Sequence, residues 1–217
     1  MKTCKLLREQ VAAATGSKKA ELVLKNAQIV NVFTQSVETG DIAIEGGYIV
    51  GIGNYEGITE KDLGGAYVCP GFLDGHIHIE SSMTSPGEFE RAVVPHGTIA
   101  VITDPHEIAN VAGTAGIRFM MQSAQKLDLD VYFMLPSCVP ATDLDESGAE
   151  LLARDLEPFY ADEKVLGLAE MMNAFGVTHG DKGCFEKLVQ ARSLKKAIDG
   201  HAPALSGKEL NAYVTAG

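Results

Sequence analysis

The chain has 217 residues, 46% of them hydrophobic and 22% charged, with a formal net charge of -11 at pH 7. That apolar share supplies a core for one large domain or a domain with a small companion, and no run approaches the ~18 apolar residues of a membrane span. The acidic balance argues against phosphate backbones, whose binding needs clustered Lys and Arg, so a small-molecule partner is expected, with no nucleic acid and no membrane.

Charges at Lys2, Lys5, Arg8 and Glu9 interrupt any signal-peptide core, so a cytoplasmic location is expected. Cys4, Cys69, Cys138 and Cys184 lie far apart with no CxxC pair, which predicts reduced, mostly buried thiols. From Lys2 to Ala14 the spacing of Leu6, Leu7 and Val11 predicts a short peripheral helix, with a linker to residue 20. Short β-rich runs follow at Leu22–Leu24, Gln28–Val32, Asp41–Glu45 and Tyr48–Ile52, and Gly46-Gly47 reads as a two-residue hairpin turn. Residues 21–66 are therefore expected to form a small antiparallel β-domain of sandwich type.

Residues 67–217 change to strand-then-helix units. The first strand carries Phe72, Leu73, Gly75, His76 and His78; an apolar lead-in predicts burial on both faces, and the i, i+2 spacing puts both imidazoles on one face, able to grip one metal ion. Further strands are predicted at Thr98–Thr103, Val131–Leu135, Val165–Ala169 and Ala197–Gly200, beginning about every 33 residues, the mark of βα units and a parallel sheet. Capping-box signals at Ser85/Glu88 and Ser206/Glu209 start helices, and Thr114–Lys126, Ala149–Asp155 and Lys182–Arg192 supply others. A doubly wound sheet would suit the count, but no glycine-rich phosphate loop follows the first strand. The expected fold class is α/β: a (β/α)8 barrel truncated after about five βα units, preceded by the small β-domain.

Every unusual polar cluster then falls at the carboxyl end of a strand, where barrel active sites form. These are His76, His78 and Glu80; Asp104, His106 and Glu107; Ser137 and Cys138; Glu170; and His201. Glu170 ends an apolar run, where a carboxylate is costly without a partner or a cation. Asp199 lies one step deeper than His201 on the same face and could orient a ligand. His96 reads as a structural turn residue, and His179 as an exposed loop residue. The ligand types suit Zn²⁺, Mn²⁺ or Fe²⁺, and such ions point to hydrolysis.

These blocks, Pro70–Ser82, Thr103–Val111, Leu135–Ala141, Gly167–Asn173 and Asp199–Pro203, closely resemble the amidohydrolase superfamily, and within it the adenine deaminases. The resemblance runs from about Glu21 to Gly217. It implies an amidohydrolase-type barrel that hydrolyses adenine to hypoxanthine and ammonia in purine salvage, with two divalent ions per complete site, manganese or iron and with zinc a further candidate. By the resemblance His76 and His78 hold one ion, Glu170 is the catalytic carboxylate bridging the two, and His201 binds the second. Glu80, Asp104, His106, Glu107 and Asp199 are candidates for substrate contact or support of the ligands. A histidine after strand six and an aspartate after strand eight, both expected in the superfamily, have no counterparts, so the chain reads as an inactive N-terminal portion of an enzyme that forms a homo-oligomer at full length. The alternatives are an enzyme acting on another cyclic amidine or cyclic amide, against which the Asp104–Glu107 and Pro136–Pro140 blocks count, and a non-catalytic metal-binding module.

Overall fold

A computed structural model describes residues 4–142 and 144–217. The chain divides into two compact units, Met1–Pro70 and Gly71–Gly217.

In the first unit, α1 (Cys4–Ala14) packs through Ala13 against Ala20, Val23 and Ala43, while Leu7 and Val11 stay exposed. Lys2, where the helix is expected to begin, lies outside the described residues. The face that packs is set by the small Ala13 and by Gln10, whose Nε2 donates to the Glu45 carbonyl at 3.2 Å, rather than by the leucine stripe. The sheet comprises β1 (Ala20–Asn31), β2 (Ser36–Glu45), β3 (Tyr48–Gly53), β4 (Gly57–Asp62) and β5 (Tyr67–Val68). β1 joins two of the predicted runs into one strand, with a register shift between Leu24 and Ala27 where Asn26 takes a φ of 56°. The β1–β2 and β2–β3 pairs are antiparallel, and β4 and β5 both join β1 in parallel. Gly46 and Gly47 turn the β2–β3 hairpin with φ of 58° and 76°, a conformation open to glycine at little cost.

The second unit is built on β6 (Phe72–Ile77), β7 (Thr98–Thr103), β8 (Asp130–Pro136), β9 (Val165–Met171) and β10 (Ala197–Gly200). These strands lie side by side in sequence order, every pair parallel, as successive strands of a βα barrel do. Between and after them come α2 (Pro86–Val93), α3 (His106–Ser123), α4 (Ala153–Leu156), α5 (Ala174–His179), α6 (Lys182–Ser193) and α7 (Gly207–Ala216). Ile79, Val101, Ile117, Leu135, Leu156 and Leu168, all buried, belong to one core cluster.

Several local expectations are corrected. β6 is not covered on both faces: Phe72 is 60% and Leu73 72% exposed, because β6 is an outer strand of the sheet and pairs, among the described residues, with β7 alone. α2 and α7 begin where the capping signals put them, yet neither Ser85 nor Ser206 makes the side-chain cap, and Glu88 faces Arg91 at 3.3 Å instead. α3 starts at His106, behind Pro105, which lacks the N–H that a helix start would leave unpaired; it breaks at Gly113 (φ 58°, ψ -140°) and resumes at the predicted Thr114. α4 is shorter than predicted, since Asp155 reaches back to the Leu152 N–H at 2.8 Å and so places the helix start after Leu152. His179 is not in a loop: it closes α5, an element the periodicity does not reveal, and stacks on Phe175 with ring centroids 3.9 Å apart. His96 does sit in a turn, the short 3-10 segment Val94–His96. Cys138 and Cys184 are buried but Cys4 and Cys69 are exposed, so only half of the thiols are covered.

Candidate metal centre

The carboxyl ends of the parallel strands bring the centre together. His76 lies on β6 and His78 just beyond it, where the Asp104 N–H bonds back to the Ile77 carbonyl at 3.0 Å and ties the ends of β6 and β7. Glu170 lies near the end of β9 with a φ of 42°, in the left-handed region that non-glycine residues enter at a cost. His201 follows β10, whose register against β9 shifts between Ile198 and Gly200.

Three imidazoles converge on one oxygen. Glu170 Oε1 stands 2.8 Å from His76 Nε2, 3.2 Å from His78 Nε2 and 3.0 Å from His201 Nε2. The other oxygen, Oε2, faces His106 Nδ1 at 3.6 Å, and His106 Nδ1 is 3.2 Å from Asp104 Oδ2. Two sets of potential ligand atoms thus share Glu170: His76 with His78, and Asp104 with His106. His201 joins the Oε1 side.

The hydrogen bonds behind the rings decide which nitrogens face inward. His78 Nδ1 lies 2.8 Å from the Asp104 carbonyl and His106 Nε2 2.6 Å from the Cys138 carbonyl; a carbonyl only accepts, so each of those nitrogens carries the proton. The inward nitrogens of the neutral rings, His78 Nε2 and His106 Nδ1, then point lone pairs at carboxylate oxygens, and His78 Nε2 is also 3.4 Å from His76 Nε2. Acceptors set against acceptors need a proton or a cation between them. Asp104 Oδ1 adds a buried oxygen with no hydrogen-bond partner. Imidazole nitrogens and carboxylate oxygens in this arrangement fit a divalent transition metal, with the outer hydrogen bonds fixing each ring.

Electrostatics follow the same lines. Burial pushes the Glu170 carboxyl up, but the His201 hydrogen bond and the neighbouring His78 and His76 outweigh it and hold its pKa below the usual value. Burial lowers His78 and His106, yet both end raised: His78 through the Asp104 carbonyl and the charges of Glu107 and Glu170, His106 through Asp104. Asp104 is raised by its burial despite the His106 contact.

Of the remaining expected residues, Glu107 Oε2 lies 3.3 Å from His78 Nδ1 while its Oε1 accepts from Ser81 Oγ at 2.6 Å. Asp199 Oδ1 accepts from the Glu170 backbone N–H at 2.6 Å. Glu80 is not among the converging groups: its Oε1 accepts from the Ile108 N–H at 3.2 Å and its Oε2 is buried without a partner. Two contacts escape sequence reasoning. The Cys138 carbonyl orients His106 through the main chain, which leaves no residue-type signal. Lys187, on α6, is buried with its Nζ 2.7 Å from the Ser137 carbonyl, although a helical lysine ordinarily reads as solvent-facing.

Comparison with known proteins gives the family and the fold. The chain is 54% identical over 213 residues to adenine deaminase 2 of Carboxydothermus hydrogenoformans, covering 98% of the chain and 37% of that relative. It is 52% identical to adenine deaminase of Bacillus pumilus, covering 97% of the chain and 37% of the relative, so it spans little more than a third of the curated relatives' length. Among solved structures, a variant of atrazine chlorohydrolase from Arthrobacter aurescens, complexed with zinc and atraton, matches with a TM-score of 0.65 at 15% identity over 90% of this chain and 58% of that one. A dihydroorotase matches with a TM-score of 0.55 at 19% identity, over 89% and 55% respectively; at such identities the likeness is one of fold. Residues 67–217 match the amidohydrolase family, and the chain belongs to it.

Proposed function

We propose that the full-length protein hydrolyses adenine to hypoxanthine and ammonia, using a centre in which His76, His78 and Glu170 hold one divalent ion and Glu170 and His201 contribute to a second. The observation that carries the metal centre is the convergence of three imidazole Nε2 atoms on Glu170 Oε1 within 2.8 to 3.2 Å, and the division between two ions rests on the resemblance to the family. The names of the relatives, at 54% and 52% identity, support the substrate. Manganese or iron is the proposed metal, with zinc a further candidate, and a cytoplasmic homo-oligomer acting in purine salvage is the proposed setting.

A divalent ion in such a centre supplies Lewis acidity, which makes water nucleophilic near neutral pH and polarises the electrophile. The chain's own residues do the rest. His78 and His106 are locked in orientation by main-chain carbonyls, so their inward nitrogens need no reorganisation. Asp104, buried beside His106 with Oδ2 3.2 Å from Nδ1, helps to hold that ring in place.

The test uses the full-length protein, stripped of metal and reconstituted with manganese, iron or zinc. Adenine-dependent ammonia release is expected, with Glu170→Gln losing at least about 100-fold in kcat. No release with any of the three metals would reject the substrate assignment. Wild-type turnover in Glu170→Gln would reject the role of Glu170.

A further inference from the structure

Glu170 holds a backbone conformation that its side chain does not favour, and side chains from two neighbouring strands grip both of its backbone polar groups. Its N–H donates to Asp199 Oδ1 at 2.6 Å, and its carbonyl accepts from Ser137 Oγ at 2.9 Å. Ser137 is buried at the end of β8; its hydroxyl proton also has Cys138 Sγ within 3.2 Å, a weaker acceptor than a carbonyl. The Ser137 carbonyl in turn accepts from Lys187 Nζ at 2.7 Å. Lys187 is 8% exposed and borders a cavity of about 510 Å³ that Glu150 and Asp181 also line. A buried amino group is expensive, and its hydrogen bond goes to the one peptide whose serine holds Glu170.

We propose that Ser137 and Lys187 are positioning residues for the Glu170 carboxylate: Lys187 fixes the Ser137 peptide, and Ser137 fixes the Glu170 carbonyl opposite Asp199. Together they hold the left-handed turn of the backbone that aims Oε1 at His76, His78 and His201. A strained conformation persists only where its surroundings over-determine it, and these hydrogen bonds supply that constraint. The inference rests on the reading that Glu170 is a metal ligand.

The experiment measures manganese affinity of the stripped full-length protein by calorimetric titration, well below its thermal midpoint, alongside the midpoint itself and kcat and KM for adenine. Ser137→Ala and Lys187→Met are each expected to weaken manganese binding by about 10- to 100-fold, the usual effect of losing a group that orients a ligand. They should lower kcat while KM stays within about threefold, and Ser137→Thr, which keeps the hydroxyl, should recover most of the affinity. Wild-type manganese affinity in both variants, with only the thermal midpoint lowered, would overturn the proposal. Glu170→Gln runs in parallel: if it also binds manganese like the wild type, the reading of Glu170 itself fails, whereas if it alone loses the metal, only the role of Ser137 and Lys187 fails. Should Lys187→Met not fold, Ser137→Ala, which removes a single oxygen, decides the question.

Discussion

His78 sets its Nδ1 2.8 Å from the backbone carbonyl of Asp104, and that contact determines which ring nitrogen is left to act. The partner is main chain, so the orientation of His78 does not depend on the Asp104 side chain. His78→Ala is therefore expected to cost at least about 100-fold in manganese affinity, whereas Asp104→Ala should leave the His78 site intact and act through His106. Metal content measured after dialysis against limiting manganese checks both; equal losses in the two variants would contradict the division.

Gly167 makes the approach of β10 to β9 possible. A Cβ built there would lie 2.1 Å from the Ala197 carbonyl oxygen, a backbone atom that cannot move without displacing the strand. Gly167→Ala should therefore push β10 away, cost about 1–3 kcal/mol of stability by overpacking, and shift His201 from Glu170. Urea unfolding and manganese titration of the variant report the two effects; an unchanged protein in both would show that β10 yields freely.

Leu135 is fully buried in the core cluster of the second unit. Leu135→Ala is expected to destabilise the protein by about 2–5 kcal/mol through lost burial and the cavity left behind. A urea midpoint within error of the wild type would mean that the surroundings collapse to fill the gap.

Asp41 ties the β1 irregularity in place: its carboxylate pairs with Lys25 Nζ and accepts from the Asn26 N–H at 3.1 Å. The Lys25 hydrogen bond holds its pKa below the usual carboxylate value. A carboxyl depressed in the folded state adds stability that is complete above its unfolded pKa of about 3.9 and is lost as pH falls through the folded value. Asp41→Asn should thus be less stable than wild type at pH 7 and lose less as pH falls from about 4 toward 2, by urea unfolding followed with circular dichroism. Parallel losses over that interval would assign the acid sensitivity to other carboxylates.

How much of this could be read from the sequence depends on the range of the interaction. The parallel order of β6 to β10 follows from apolar runs at even spacing, and the convergence of His76, His78, Glu170 and His201 follows from their common place at strand ends. The short range misled more often. Ser85 and Ser206 stand at true helix starts without bonding as caps. α5 escaped because it spans six residues, too few for a period to show. The exposure of Phe72 and Leu73 is a property of β6's place in the sheet, which no local pattern encodes. Lys187 and the Cys138 carbonyl contribute through contacts 50 and 32 residues away in sequence, visible only when the chain is folded.

The arrangement of the first unit bears on how it assembles. β1 pairs with β2, β4 and β5, so its ladder hydrogen bonds are divided among three later segments. The β2–β3 hairpin, turned by two glycines, closes locally on a timescale of about 1–10 μs, whereas β4 and β5 have to return across a longer loop, at a greater entropic cost. During synthesis β1 leaves the ribosome ahead of β2, β4 and β5, so its pairing is completed only when the last of them has emerged.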